Sequence, residues 1–182
     1  MKKLAAACLL LLLFRPAPAT ADHAPEWLLA KRSTVPRILG MSVDDVTLAD
    51  VIRRFGKPTS RQSDPKFPQE ALYTWRSGEL TVRASTVFPP TSRSPKTEQV
   101  TTIEVAGPAA SRATLTEHGL RLGDDLRMLV NTYGWRYQTG WRRPQERESA
   151  AVTFIFQDES ELTAGFDDDG KLVRLYIGGG VE

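Results

Sequence analysis

The chain has 182 residues, 41% of them hydrophobic and 25% charged, with 24 Lys/Arg against 22 Asp/Glu and one cysteine. A chain of this length bounds the protein to one domain or two small ones, and its ordinary apolar content excludes wholesale disorder. The near balance of charge argues against nucleic acid, whose affinity is dominated by neutralised phosphates.

The N-terminus reads as a secretory leader over 1–21. Lys2 and Lys3 precede an apolar run, Leu4 to Phe14, and Ala19-Thr20-Ala21 forms a small-residue cleavage site. The run is shorter than the roughly 18 residues a spanning helix needs, so the mature protein is expected to be periplasmic or secreted and not membrane-spanning. Cleavage after Ala21 removes Lys2, Lys3 and Arg15 and no acid, which takes 24 basic residues to 21 and the formal charge from +2 to −1. Cys8 would leave with the leader, and with it any disulfide or thiolate metal ligand. Leu4-Ala5-Ala6-Ala7-Cys8 has the look of a lipidation site, but its cysteine precedes most of the apolar run instead of following it. Residues 22–36 are expected to be a mobile N-terminal segment.

Two phrases organise the rest. In LADVIRRFG, Leu48, Val51, Ile52 and Phe55 fall at i, i+3, i+4 and i+7, and in LRMLVNTYG, Leu126, Leu129, Val130 and Tyr133 repeat the offsets. Each predicts a short amphipathic helix with one buried stripe. Thr47 with Asp50 suits a capping box on the first, Asp124 or Asp125 can cap the second, and Gly56 and Gly134 stop them. Strand-like alternation follows each helix, at 71–76, 79–88 and 99–106 and again at 151–157, 161–166 and 171–177, with turns at Ser77-Gly78, Asp158-Glu159-Ser160 and Asp169-Gly170. The expected fold is therefore α+β, with two tandem helix-plus-antiparallel-meander repeats at 37–107 and 112–182 joined by a linker at 108–111. Each helix would pack on one face of its own sheet.

The lead-in Gly119-Leu120-Arg121-Leu122-Gly123-Asp124, the helix ending Tyr133-Gly134 and the meander after it resemble the repeat of the small outer-membrane lipoprotein (SmpA/OmlA) family and of the β-lactamase inhibitor protein. The resemblance spans about 37–178. It implies protein–protein interaction in the envelope or outside the cell, through a sheet face or its loops, without catalysis. The chain departs from the lipoproteins, which carry one repeat and an acylated cysteine, and from the inhibitor, which has disulfides.

Reactive chemistry is scarce. His23 and His118 are the only imidazoles, and no nucleophile elbow, zinc-helix motif or phosphate loop is present. Asp167-Asp168-Asp169-Gly170 lacks the ligand spacing of a calcium loop and suits an acidic hairpin tip. No catalytic residue, metal or cofactor is assigned. The distinctive stretch is Trp135-Arg136-Tyr137-Gln138-Thr139-Gly140-Trp141-Arg142-Arg143, rich in the side chains that most often anchor interfaces. It is equally the pattern of a strand whose alternate aromatics pack under the second helix. The sheet face turned away from the helices would carry Thr81, Arg83, Thr102, Glu104, Thr163, Arg174 and Tyr176, a polar surface suited to solvent or to wet recognition.

Together these point to an exported, non-enzymatic protein–protein interaction module of the cell envelope, accessory or inhibitor-like. Its candidate contact residues are Arg83, Trp135, Tyr137, Trp141, Arg142, Arg174 and Tyr176. The partner would be another envelope or extracellular protein. The alternative is a glycan- or peptidoglycan-binding module, with the aromatics stacking on sugar rings.

Overall fold

The computed structural model describes residues 29–31, 34–43, 45–87, 94–140 and 148–179. The expected leader, Cys8, His23, Trp141, Arg142 and Arg143 lie outside the described residues.

Two eight-residue α-helices form where the apolar stripes predict them, α1 at Leu48–Phe55 and α2 at Leu126–Tyr133. Asp50 Oδ2 closes the start of α1 by accepting the Thr47 backbone N–H at 3.0 Å and the Thr47 hydroxyl at 2.7 Å. Asp125 caps α2 through the Met128 N–H, whereas Asp124 accepts from the Arg121 N–H at 2.8 Å and pairs with Arg112. Both helices stop at a glycine whose N–H still reaches back four residues, at 2.8 Å in each case. Gly56 has φ 78° and ψ −161°, and Gly134 φ 95° and ψ −179°. Those angles lie outside the left-handed helical well usual for a C-terminal cap, in a region essentially reserved for glycine.

Among the described residues eight strands occur, four after each helix: β1 Ser60–Asp64, β2 Phe67–Ser77, β3 Leu80–Val87, β4 Gln99–Ala106, β5 Gln138–Gly140, β6 Ala150–Ile155, β7 Glu161–Phe166 and β8 Leu172–Gly178. They do not make the two separate helix-on-meander repeats expected from the sequence. They form one antiparallel sheet in the order β1-β2-β3-β4-β8-β7-β6-β5, and strand dominates the described residues, with the two short α-helices and a 3-10 turn at Ala109–Ser111 beside it. The join is β4 against β8, paired from Thr102↔Gly178 to Ala106↔Arg174. Two half-sheets would each have left an edge of unpaired backbone groups at that line, and each would have enclosed only a small core. Pairing the two edges removes both costs.

Register then carries one apolar face across the whole width. Tyr73, Ala84, Ile103, Ile177, Leu162 and Phe154 are successive cross-strand partners, and so are Trp75, Val82, Val105, Leu175, Ala164 and Val152. All twelve are buried, in one cluster with Leu48 and Val51 of α1 and Leu129 and Tyr133 of α2. The Trp75 indole N–H donates to the Gly56 carbonyl at 2.9 Å, tying α1 to β2, and the Tyr133 ring lies 5.5 Å from that of Phe154. The segments leading into the helices also touch, the Leu39 N–H donating to the Leu115 carbonyl at 2.7 Å. At the other end of the chain's first half, Leu29 bridges Ile155 in parallel, and the Ala30 and Lys31 N–H groups donate to the carbonyls of Ile155 and Tyr133 at 2.7 and 2.8 Å. Among the described residues no helix is long and apolar enough to cross a membrane.

Candidate functional site

The face of the sheet turned away from the helices is polar, and its centre is closed instead of solvated. Arg83, Glu104 and Tyr176 are successive partners across β3, β4 and β8, with Arg174 two residues before Tyr176. Arg174 is only 4% exposed. Its Nε and Nη2 each donate at 2.8 Å to the two carboxylate oxygens of Glu148, and its Nη1 lies 3.4 Å from Glu104 Oε2. Glu104 Oε1 accepts from Arg83 at 2.8 Å. Two cations and two anions thus balance locally, as a buried ionic group must if it is not to lose its desolvation energy uncompensated. Glu148 fits because β7 has Gly165 beneath it: a β-carbon there would overlap the Glu148 carboxyl group. The Tyr176 ring folds over Gly178, where a β-carbon would come within 2.8 Å of the phenol oxygen. Arg174 is therefore a support of this face, while Arg83, with its side chain 38% exposed, reaches solvent.

The aromatic segment divides at its start. Trp135 is 79% exposed, Arg136 beside it is exposed, and Tyr137 is half-buried with its ring 5.6 Å from Phe154. The expectation of alternate aromatics sharing one face does not apply to Trp135, because the strand begins only at Gln138 and the preceding residues carry no pleat. Among the described residues the other large apolar side chains open to solvent are Met128, 46% exposed in the first turn of α2, and Phe67, 49% exposed at the start of β2. Lys31 adjoins the C-terminal end of α2, donating its backbone N–H to the Tyr133 carbonyl, and its Cβ would lie 3.2 Å from a β-carbon placed on Gly134.

A third polar group is internal. Glu98 is 1% exposed; its carboxylate accepts from the Thr86 hydroxyl and, at 3.4 Å, from the Tyr73 phenol, which itself accepts from Arg61 Nε at 3.1 Å. Burial pushes the Tyr73 phenol up from its ordinary value, partly offset by the Arg61 hydrogen bond. The Glu98 backbone carbonyl caps α1 from outside, accepting from the Leu48 N–H at 2.9 Å, and Pro95 does the same for Ala49. These bonds make Glu98 a keystone of the α1 docking.

His118 sits 3.5 Å from Glu117 and edge-on to Tyr133 at 6.2 Å. Asp167 Oδ1 accepts from the Asp169 and Lys171 N–H groups at 3.1 and 2.8 Å, so it organises a hairpin turn. An open recess of about 410 Å³ between β1, β2 and β3 is lined by Gln62, Ser63, Pro65, Glu70, Leu72 and Ser85, which bring one carboxylate and no base. Among the described residues no three His, Cys, Asp or Glu side chains are grouped to hold a metal ion.

No family model matches the chain, and no curated protein matches it. Among solved structures, the chain is similar to the crystal structure of a DUF4309 family protein (YjgB) from Bacillus subtilis. Identity is 16% and the TM-score 0.43, over 77% of this chain and 82% of that one. A likeness at that level carries no conclusion about activity.

Proposed function

We propose that the protein is an exported, non-enzymatic interaction module of the cell envelope that binds another protein through the α2–β5 end of the sheet. The observation that supports this most is Trp135, an indole 79% exposed directly after a capped helix and followed by an exposed arginine. Tryptophan and arginine are the residues most enriched among binding hot spots, and folding gains little from an indole left in water. The outward face lends a stiff platform, since its charges are paired with one another. Export rests on the leader.

The test is crosslinking and co-purification from an envelope extract, with wild type and Trp135→Ala compared before and after glycan digestion. A partner protein recovered with wild type, depleted with the variant and indifferent to digestion is expected. Loss of capture on digestion would transfer the protein to the glycan-binding class, and equal capture by both proteins would remove Trp135 from the contact.

A further inference from the structure

Resting on that interaction role, we propose that residues 29–31 are a displaceable placeholder, and that the slot they fill receives an extended aliphatic–small–polar segment of the partner. The slot has two walls. β5 pairs with β6 from Ala151 to Thr153, and the end of β6 beyond it forms the first wall: Leu29 bridges Ile155 in parallel, and the Ala30 N–H donates to the Ile155 carbonyl at 2.7 Å. The second wall is the C-terminal end of α2. Its Tyr133 carbonyl, too near the end to find a partner within the helix, accepts the Lys31 N–H at 2.8 Å. Successive N–H groups of an extended chain point to opposite sides, so one short segment satisfies both walls at once.

The walls specify what fits. Two consecutive N–H donors exclude proline from the second and third positions. Ala30 is 6% exposed within the core cluster, where close packing admits a small side chain at least cost. Leu29 is half-buried and Lys31 exposed, so the first position takes an aliphatic side chain and the third a polar one. Backbone bonds supplying affinity and one small pocket supplying choice are the means by which extended peptides are recognised. Two hydrogen bonds, one bridge and one buried methyl group make an attachment of the kind that opens locally while a sheet stays folded. Trp135, one residue beyond Gly134, stands at the rim, 79% exposed with residues 29–31 in place. A partner segment that runs on from the slot has that indole to cover.

Amide exchange on the full exported chain tests displacement directly. The Ala30 and Lys31 amides are expected to exchange at least about tenfold faster than those of β3, as locally opening segments do, and exchange at the β3 rate would overturn displacement. The second probe is a fluorescein-labelled peptide with the sequence Leu28-Leu29-Ala30-Lys31-Arg32-Ser33, titrated by anisotropy against wild type and Ala30→Glu. The variant's own segment would have to bury a carboxylate, so it leaves the slot open. Peptide binding should then tighten about tenfold, because a placeholder lowers apparent affinity in proportion to its occupancy. N-methylation of the peptide's alanine should weaken binding by about as much. Equal binding by the two chains, or by the two peptides, would overturn the slot as the site, and collapse of the Ala30→Glu fold would show that the segment belongs to the core. Absence of peptide binding to either chain, with envelope capture still sensitive to Trp135→Ala, would discard the slot and leave the interaction role standing. Self-association of wild type that added peptide reverses would assign the slot to exchange between copies of the chain and overturn the partner segment.

Discussion

The ends of α1 and α2 are made to the same local plan and put to different uses. Both helices have eight residues, the same stripe and a glycine stop with positive φ. After Gly56 the chain leads into Lys57-Pro58, the tryptophan nearby (Trp75) is 1% exposed, and its indole seals the Gly56 carbonyl. After Gly134 the tryptophan is in the chain itself, and it stands in solvent. The solvent side of α1 is charged, with Asp50 paired to Arg53 at 2.9 Å, whereas α2 shows Met128. A tryptophan that folding needs is buried and bonded, and one that folding does not need is left for something else.

The sharpest way to break that contrast is to truncate both tryptophans. Trp75→Ala is expected to cost about 3–5 kcal/mol of folding stability, as for other large aromatics removed from a core. Trp135→Ala should stay within about 0.5 kcal/mol. Denaturant midpoints measure both, and a large loss at Trp135 would mean that its indole is packed and no contact surface.

The two arginines of the outward face extend the comparison. Arg174→Ala strands Glu148 and is expected to cost about 3 kcal/mol, in the range of a broken buried ion pair. Arg83→Ala removes a partly exposed partner of Glu104 and should cost less than about 1 kcal/mol. Chemical unfolding of the two variants would separate them, and equal losses would show that the Glu148 clasp is no firmer than a surface pair.

The glycine stops come next. Gly56→Ala meets no atom within 4 Å and should cost about 1–2 kcal/mol from backbone strain alone. Gly134→Ala adds a contact with Lys31 at 3.2 Å and is expected to lower the melting temperature further than its counterpart. The reverse order would mean that the Lys31 strap yields freely.

Among the substitutions expected to destabilise, the smallest in this series is at the capping box. The Thr47 hydroxyl and backbone N–H, with Arg53 adding to them, hold the Asp50 carboxyl below its ordinary value. A depressed carboxylate stabilises the fold above its unfolded pKa, near 4, and the benefit fades as the pH falls through the folded value. Asp50→Asn should therefore lower stability by about 0.5–1 kcal/mol at pH 7 and by progressively less below pH 4. Melting curves across that range would show it, and a pH-independent difference would place the effect outside the ionisation of Asp50.

Much of this was legible locally. Apolar offsets located both helices, and period-two alternation located β2, β3, β4, β6, β7 and β8, because each buries one face. β1 escaped because Ser60-Arg61-Gln62-Ser63-Asp64 has no apolar alternation, being a polar edge strand. The β4–β8 seam escaped for a different reason. Pairing between Val105 and Leu175 leaves no mark on either segment beyond an apolar face, and an apolar face fits two small sheets as well as one large one. The outward residues were placed on their face by alternation, yet the burial of Arg174 depends on Glu148, 26 residues away and preceded by nothing that marks it as a core group. Trp135 was legible by type, and its exposure was not, because that depends on where β5 begins.

The seam also fixes the order in which the molecule can be finished. β4 is made early, but its second neighbour is β8, which follows every other described strand. A chain emerging N-terminus first holds β4 as an open edge through the synthesis of α2 and of β5 to β7, and long-range pairings of this kind are slow to form and prone to aggregation while they wait. A chain that stopped before Leu172 would be left with β4 and β7 both unsatisfied, so completion of the last strand, more than the folding of either half, decides whether the nascent protein becomes safe from its neighbours.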